Sequence, residues 1–169
     1  MSERKHRSNV TEYGTQLREK QKIRNVYGMT EKQFYRYVKN ATAIKGGNPV
    51  HHLYSMLERR LDNTIFRLGL AQSRAQARQM VAHGHFTVNK RRVTIPSYLL
   101  NEGDVVAIRE GSKPLSLFRE AKEKLDAGGK PNWITIDAPK LSATITGTPK
   151  YEKGEMGFDF GSVIEFYSR

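Results

Sequence analysis

Residues 73–93 read SRAQARQMVAHGHFTVNKRRV, and this stretch decides the fold class. Ser73 with Gln76 three residues later is a helix-start pattern, in which the hydroxyl accepts from an early backbone N–H and the glutamine reaches back. Ala77, Met80 and Val81 recur at helical spacing and give that helix its buried side. Gly84 stops it, because glycine adopts the left-handed backbone of a helix terminus without a Cβ penalty. Beyond the glycine the period changes to two. Phe86 and Val88, then Val93 and Ile95, alternate around Asn89-Lys90, which predicts a β-hairpin. A helix running straight into a hairpin points to an α+β fold.

The same stretch carries charge. Arg74 and Arg78 are four apart, so they are expected to share one exposed helix face. Upstream, Arg59, Asn63 and Arg67 have the same spacing, and Lys90, Arg91 and Arg92 cluster at the hairpin turn. Between Arg59 and Arg92 there are eight Lys/Arg and one acid, Asp62. Such a cluster repels itself, and a phosphate backbone relieves that repulsion while releasing counterions. Arginine suits the task because its planar fork meets phosphate bidentately and stacks on bases.

Outward from this centre, Asn48-Pro49 is a strong helix start, an N-cap followed by proline at the first helical position. Leu53, Leu57, Leu61, Ile65 and Leu68 form one apolar stripe, read as a single helix ending at Gly69. Residues 14–27 read as a basic helix bearing Arg18, Lys20, Lys22 and Arg24, with Leu17 and either Ile23 or Arg24 turned inward. Thr30 and Gln33 repeat the capping pattern before a stripe of Phe34, Tyr37, Val38 and Ala41. Val105–Ile108 reads as a short buried strand, 114–125 as a helix of mixed charge, and Trp133–Asp137 and Leu141–Ile145 as strands. Residues 146–161 read as a loop, and Val163–Tyr167 as a final strand or ordered tail. Residues 1–10 are polar, and Arg4, Lys5 and Arg7 give them the look of a flexible basic arm.

The chain has 169 residues and a formal net charge of +12. Residues 1–45 contribute +7, residues 46–96 contribute +6 and residues 97–169 contribute −1. A positive field confined to the first 96 residues points to a polyanionic partner. The absence of cysteine excludes disulfides, thiolate catalysis and cysteine-held metal centres. No apolar run approaches the roughly 18 residues of a membrane helix, and the amino terminus has no secretory apolar segment. Neither a cofactor nor a membrane partner is expected.

The stretch from Leu57 to Glu110 combines Arg60-Leu61-Asp62, Gly69, Ser73-Arg74, Ala77-Arg78, Gly84, Val88-Asn89 and Gly103-Asp104. At this spacing it resembles the small RNA-binding module named after ribosomal protein S4. The flanks 13–38 and 130–149, with the ending VIEFYSR, resemble the rest of the bacterial S4 family. The resemblance implies a helical domain (1–56) completed by a carboxyl-terminal segment (122–169), and between them a module (57–121) of two helices on a short twisted sheet. It implies a primary binder of small-subunit rRNA in a cytoplasmic or organellar ribosome. Such a protein would nucleate subunit assembly and contribute to translational accuracy. The rRNA contacts it implies are Arg18, Lys20, Lys22, Arg24, Arg59, Arg60, Asn63, Arg67, Ser73, Arg74, Arg78, Asn89, Lys90 and Arg91. Ribosomal proteins S3 and S5 are the implied neighbours, where mRNA enters the subunit, with Arg4, Lys5 and Arg7 as an arm on the message. The family usually has a further amino-terminal segment, sometimes with zinc-binding cysteines, which this chain is expected to lack. It also often has Asn-Gly at the hairpin turn, where this chain has Asn89-Lys90.

Other readings compete at single residues. Arg60-Leu61-Asp62 also resembles the catalytic aspartate motif of one class of pseudouridine synthases, but a helix-surface aspartate paired with an arginine is the simpler role. His83 and His85 read as a helix-terminal pair, with phosphate contact second and metal binding third. Gly128-Gly129-Lys130 lacks the rest of a phosphate-binding loop and reads as a helix stop. Tyr27 and Tyr35 fall off the apolar stripe, either to stack on a base or to rest on the protein surface.

Overall fold

A computed structural model describes residues 11–152 and 157–168. The chain opens with three helices, α1 (Glu12–Val26), α2 (Glu31–Ala43) and α3 (Pro49–Glu58). Each starts at a polar cap: Thr11 accepts from Gly14 N, Thr30 closes a full capping box with Gln33, and Asn48 accepts from Val50 N ahead of Pro49. The predicted single helix through Leu68 is instead two. After α3 the backbone turns at Arg59, Arg60 is extended (φ −61°, ψ 141°), and α4 (Leu61–Arg67) begins. The break is held by a distant segment. Leu61 N donates to Tyr98 O at 2.8 Å, Asp62 N to Pro96 O at 3.1 Å, and Leu100 N to Arg59 O at 2.8 Å. The apolar stripe is divided accordingly, with Leu57 in one core and Leu61 in the other.

Helix α5 (Arg74–Ala82) starts at the Ser73 cap as the sequence predicts, and the hairpin follows as β1 (Phe86–Val88) and β2 (Arg91–Arg92). Asn89 and Lys90 have φ of 52° and 68°, positive at both central positions as a type I′ turn requires, without a glycine. The Asn89 amide makes this possible: it donates to Asp104 Oδ1 and accepts from Val105 N, each at 2.9 Å. Then come β3 (Val105–Ile108), a 3₁₀ turn at Glu110–Ser112, a second at Ser116–Phe118 in place of the first part of the predicted 114–125 helix, α6 (Ala121–Asp126), β4 (Ile134–Asp137) and β5 (Ser142–Ile145).

The strands form one antiparallel sheet in the order β2-β1-β3-β5-β4. This corrects the expected division, in which everything after residue 121 completed the helical part. Strand β3 would otherwise be an open edge, and β5 covers it, with Val106 opposite Ala143 on the buried face. The last helix, α7 (Phe160–Tyr167), returns to the first core, and Tyr151 and Phe158 pack against it as well. The predicted strand there is a helix because Phe160, Val163, Ile164 and Tyr167 follow helical spacing behind an Asp159 cap. Helix α7 packs along α1, which explains why Gln16 and Lys20 turn inward with Ile23 while Leu17 stays half-buried. Gln16 donates to Glu165 at 2.9 Å, and the Lys20 ammonium sits 4.7 Å from the centre of the Phe166 ring.

Candidate nucleic-acid interface

The acids nearest the break between α3 and α4 sort the arginines into two populations. The Glu58 side chain is completely buried. It accepts from Tyr27 Oη at 2.6 Å, Asn63 Nδ2 at 2.6 Å, Arg67 Nε at 3.0 Å and Arg67 Nη2 at 2.7 Å. Burial pushes its pKa up, but the bonds and charge of Arg67, then the Tyr27 and Asn63 donors, outweigh that and hold it below the usual carboxylate value. Burial and the adjacent Glu58 push the Tyr27 hydroxyl well up, so it stays a donor. A few ångströms on, Asp62 is also buried. It takes both forks of Arg60 (3.1 and 3.0 Å), accepts from Asn63 N at 2.7 Å, and has Arg78 Nε at 3.5 Å.

Arg60, Asn63 and Arg67, expected to meet RNA, are therefore committed inside. Arg60 and Asn63 are buried, and Arg60 also donates to Tyr37 Oη at 3.1 Å. Lys20 is likewise buried, bonded to Glu31 at 3.0 Å. Asp62 is an internal anchor, not a surface aspartate. Arg74 does not share an open face with Arg78. Its guanidinium lies 4.5 Å from the Phe66 ring centre and 4.8 Å from that of Tyr27, and Nε donates to Asn63 Oδ1 at 2.9 Å. Burial lowers its pKa, and among the described residues no carboxylate lies within 4.0 Å of it. Arg78 is more open and donates to Tyr27 O at 3.1 Å.

The second population faces outward. Arg18, Lys90 and Arg91 are exposed, and among the described residues their side chains have no hydrogen bond or ion pair. Lys22 is exposed beside Glu19 at 3.1 Å, and Arg24 is half-buried on Met29 O and Gln21. Arg59 reaches Leu100 O at 2.8 Å and Asn101 Oδ1, which fixes its position at the surface between the two cores. Ser73 is spent as the α5 cap, and Asn89 as the turn anchor. Tyr27 is core while Tyr35 stays 47% exposed, which settles the two tyrosines differently. Arg4, Lys5 and Arg7 lie outside the described residues. The network around Glu58 has no sequence signal, since a single glutamate on a helical stripe does not announce burial.

No group of three potential metal ligands and no membrane-length apolar helix occurs among the described residues. A helix pair leading into a basic hairpin, on a sheet whose other face is core, defines an S4-type module: the S4 domain profile matches residues 59–106. The profile of the ribosomal protein S4/S9 N-terminal domain matches residues 2–58. The small ribosomal subunit protein uS4 of Levilactobacillus brevis is 47% identical over 96% of this chain and 80% of its own length. That of Syntrophobacter fumaroxidans is 47% identical over 96% and 78%, and that of Halothermothrix orenii 44% over 98% and 79%. The chain belongs to the uS4 family of ribosomal proteins, which are structural proteins and not enzymes.

Proposed function

We propose that this protein is an rRNA-binding constituent of the small ribosomal subunit. The observation that carries the reading is the outward population of cations at the hairpin tip, where Lys90 and Arg91 have no ion pair among the described residues, continued along the surface by Arg59 and by Arg78, whose Nε lies 3.5 Å from the buried Asp62. Arg18, Lys22, Arg24, Arg59, Arg78, Lys90 and Arg91 make the phosphate contacts, while Lys20, Arg60, Asn63, Arg67 and Arg74 hold the surface in shape from inside. Because side chains read A-form grooves poorly, such a surface selects an RNA junction by its shape and phosphate positions.

The finer roles belong to the same proposal. The protein binds early and nucleates assembly, sits beside ribosomal proteins S3 and S5 where mRNA enters, and supports translational accuracy. Arg4, Lys5 and Arg7 touch the message. Filter binding of small-subunit rRNA to the full chain across a salt series tests the core claim: tight binding with a steep salt dependence is expected, and binding no stronger than to an unrelated structured RNA overturns it. Photoreactive mRNA on intact subunits tests the arm. Crosslinks to residues 1–10 support it, and crosslinks of those residues to rRNA alone overturn it.

A further inference from the structure

His83, His85, Arg92 and Arg109 are scattered in the sequence, yet the fold gathers them at the end of α5. The Gly84 carbonyl accepts from Arg92 Nε at 3.1 Å and from Arg109 Nε at 3.0 Å, so two guanidinium groups are tied to one oxygen. Arg92 Nη2 also donates to His83 O at 3.3 Å. Glycine is required at 84: its φ is +79°, and a Cβ there would collide with the Arg92 guanidinium. The rings of His83 and His85 lie 6.2 Å apart beside this pair, and His85 Nδ1 is 2.8 Å from Ser112 Oγ. Burial lowers the His85 pKa first, and the nearby His83, Arg109 and Arg92 lower it further, as expected where positive charge has no counterweight.

Capping the carbonyl end of a helix accounts for one arginine. A second on the same oxygen adds like charge without adding a needed bond. Among the described residues no carboxylate lies within 4.0 Å of either guanidinium, and neighbouring Glu110 is taken by Lys113 at 2.6 Å. Arg92 Nη1 and both Nη groups of Arg109 have no acceptor among the described residues. Two planar forks are thus pinned at their Nε edges with their remaining donors unused, which is the preorganisation a tetrahedral oxyanion needs.

We infer that this corner is a phosphate site in which Arg92 and Arg109, with His83 at its rim, clamp an RNA backbone phosphate. The site rests on the rRNA-binding reading and adds an anchor behind the hairpin, away from its tip. Two measurements on the full chain test it. In filter binding to small-subunit rRNA, Arg92→Gln with Arg109→Gln keeps a donor for Gly84 but removes the charge. It should lower the magnitude of the salt slope by roughly 0.7 to 0.9 for each phosphate no longer neutralised. Arg92→Lys with Arg109→Lys should keep the slope and weaken affinity severalfold, because lysine has no fork. Phenylglyoxal labelling of the native chain, read by mass spectrometry, should find both arginines shielded in the rRNA complex. An unchanged slope in a folded glutamine variant, or arginines equally reactive with and without rRNA, overturns the site. Shielding by inorganic phosphate but not by rRNA overturns the assignment to an RNA backbone. Should the native chain fail to bind rRNA at all, it is the broader reading that falls.

Discussion

The seam between the two cores and the tip of the hairpin are equally rich in arginine and lysine, yet they use that charge in opposite ways. At the seam, Glu58 and Asp62 are buried, and they draw in Arg67, Arg60 and Arg78 as ion-pair partners. At the tip, Lys90 and Arg91 stand in solvent with no ion-pair partner among the described residues. Both regions are basic, and the buried acids make the difference. A buried carboxylate turns neighbouring cations into structure, and its absence leaves them for a partner.

The largest effect should come from breaking the seam. Glu58→Ala strands Arg67 and removes the acceptor of Tyr27 and Asn63, and should cost about 3–5 kcal/mol in urea unfolding. A loss below about 1 kcal/mol would mean that the seam is not internal structure. Acid should mimic the substitution. The folded Glu58 titrates below its unfolded value, so its stabilisation is present above about pH 4.3 and is lost as pH falls through the lowered folded value. Glu58→Gln should flatten that acid limb, and an unchanged pH–stability curve would contradict it. Asp62→Asn comes next, at about 3 kcal/mol, because Arg60 is left buried without its counter-charge. Stability within error of the parent protein in the same assay would refute this.

At the tip the same chemistry should be nearly silent in stability. Lys90→Ala with Arg91→Ala should stay within about 0.5 kcal/mol of the parent, while the salt slope of rRNA binding drops by roughly 0.7 to 0.9 for each residue. Substantial destabilisation with unaltered binding would reverse the comparison. The smallest and sharpest test is Lys90→Gly. Lys90 has φ 68°, so glycine should relieve strain and raise stability by about 0.5 kcal/mol while still weakening RNA binding. Stability and affinity moving in opposite directions at one residue would separate the two uses of charge.

The local features are legible in the sequence. Ser73 with Gln76, Gly84, and the alternation of Phe86 and Val88 can be read because caps, stops and strand periods are written within a few residues of where they act. The break at Arg59–Arg60 is not, because Leu57 and Leu61 extend a helical stripe whether or not the helix continues. What interrupts it is the 96–100 segment, nearly forty residues away. For the same reason the sorting of Arg60, Asn63, Arg67 and Arg74 is hidden. Spacing shows that side chains are neighbours, but whether they face water depends on which distant segment covers them. Helix α7 is hidden for a different reason. Val163, Ile164, Phe166 and Tyr167 favour strands by type, and this masks the helical spacing and the Asp159 cap that the sequence also carries.

The return of α7 to the first core has a consequence in time. A ribosome makes the chain from its amino terminus, so α1, α2 and α3 emerge early, but Phe160 and Val163 complete their core and come almost last. The S4-type module, whose core closes at Ile145, has all its parts sooner. Synthesis order and folding order are therefore inverted: the middle of the protein can settle first, and the beginning waits for the end. A released fragment ending near residue 150 should resist protease across the module and be cut within α1–α3.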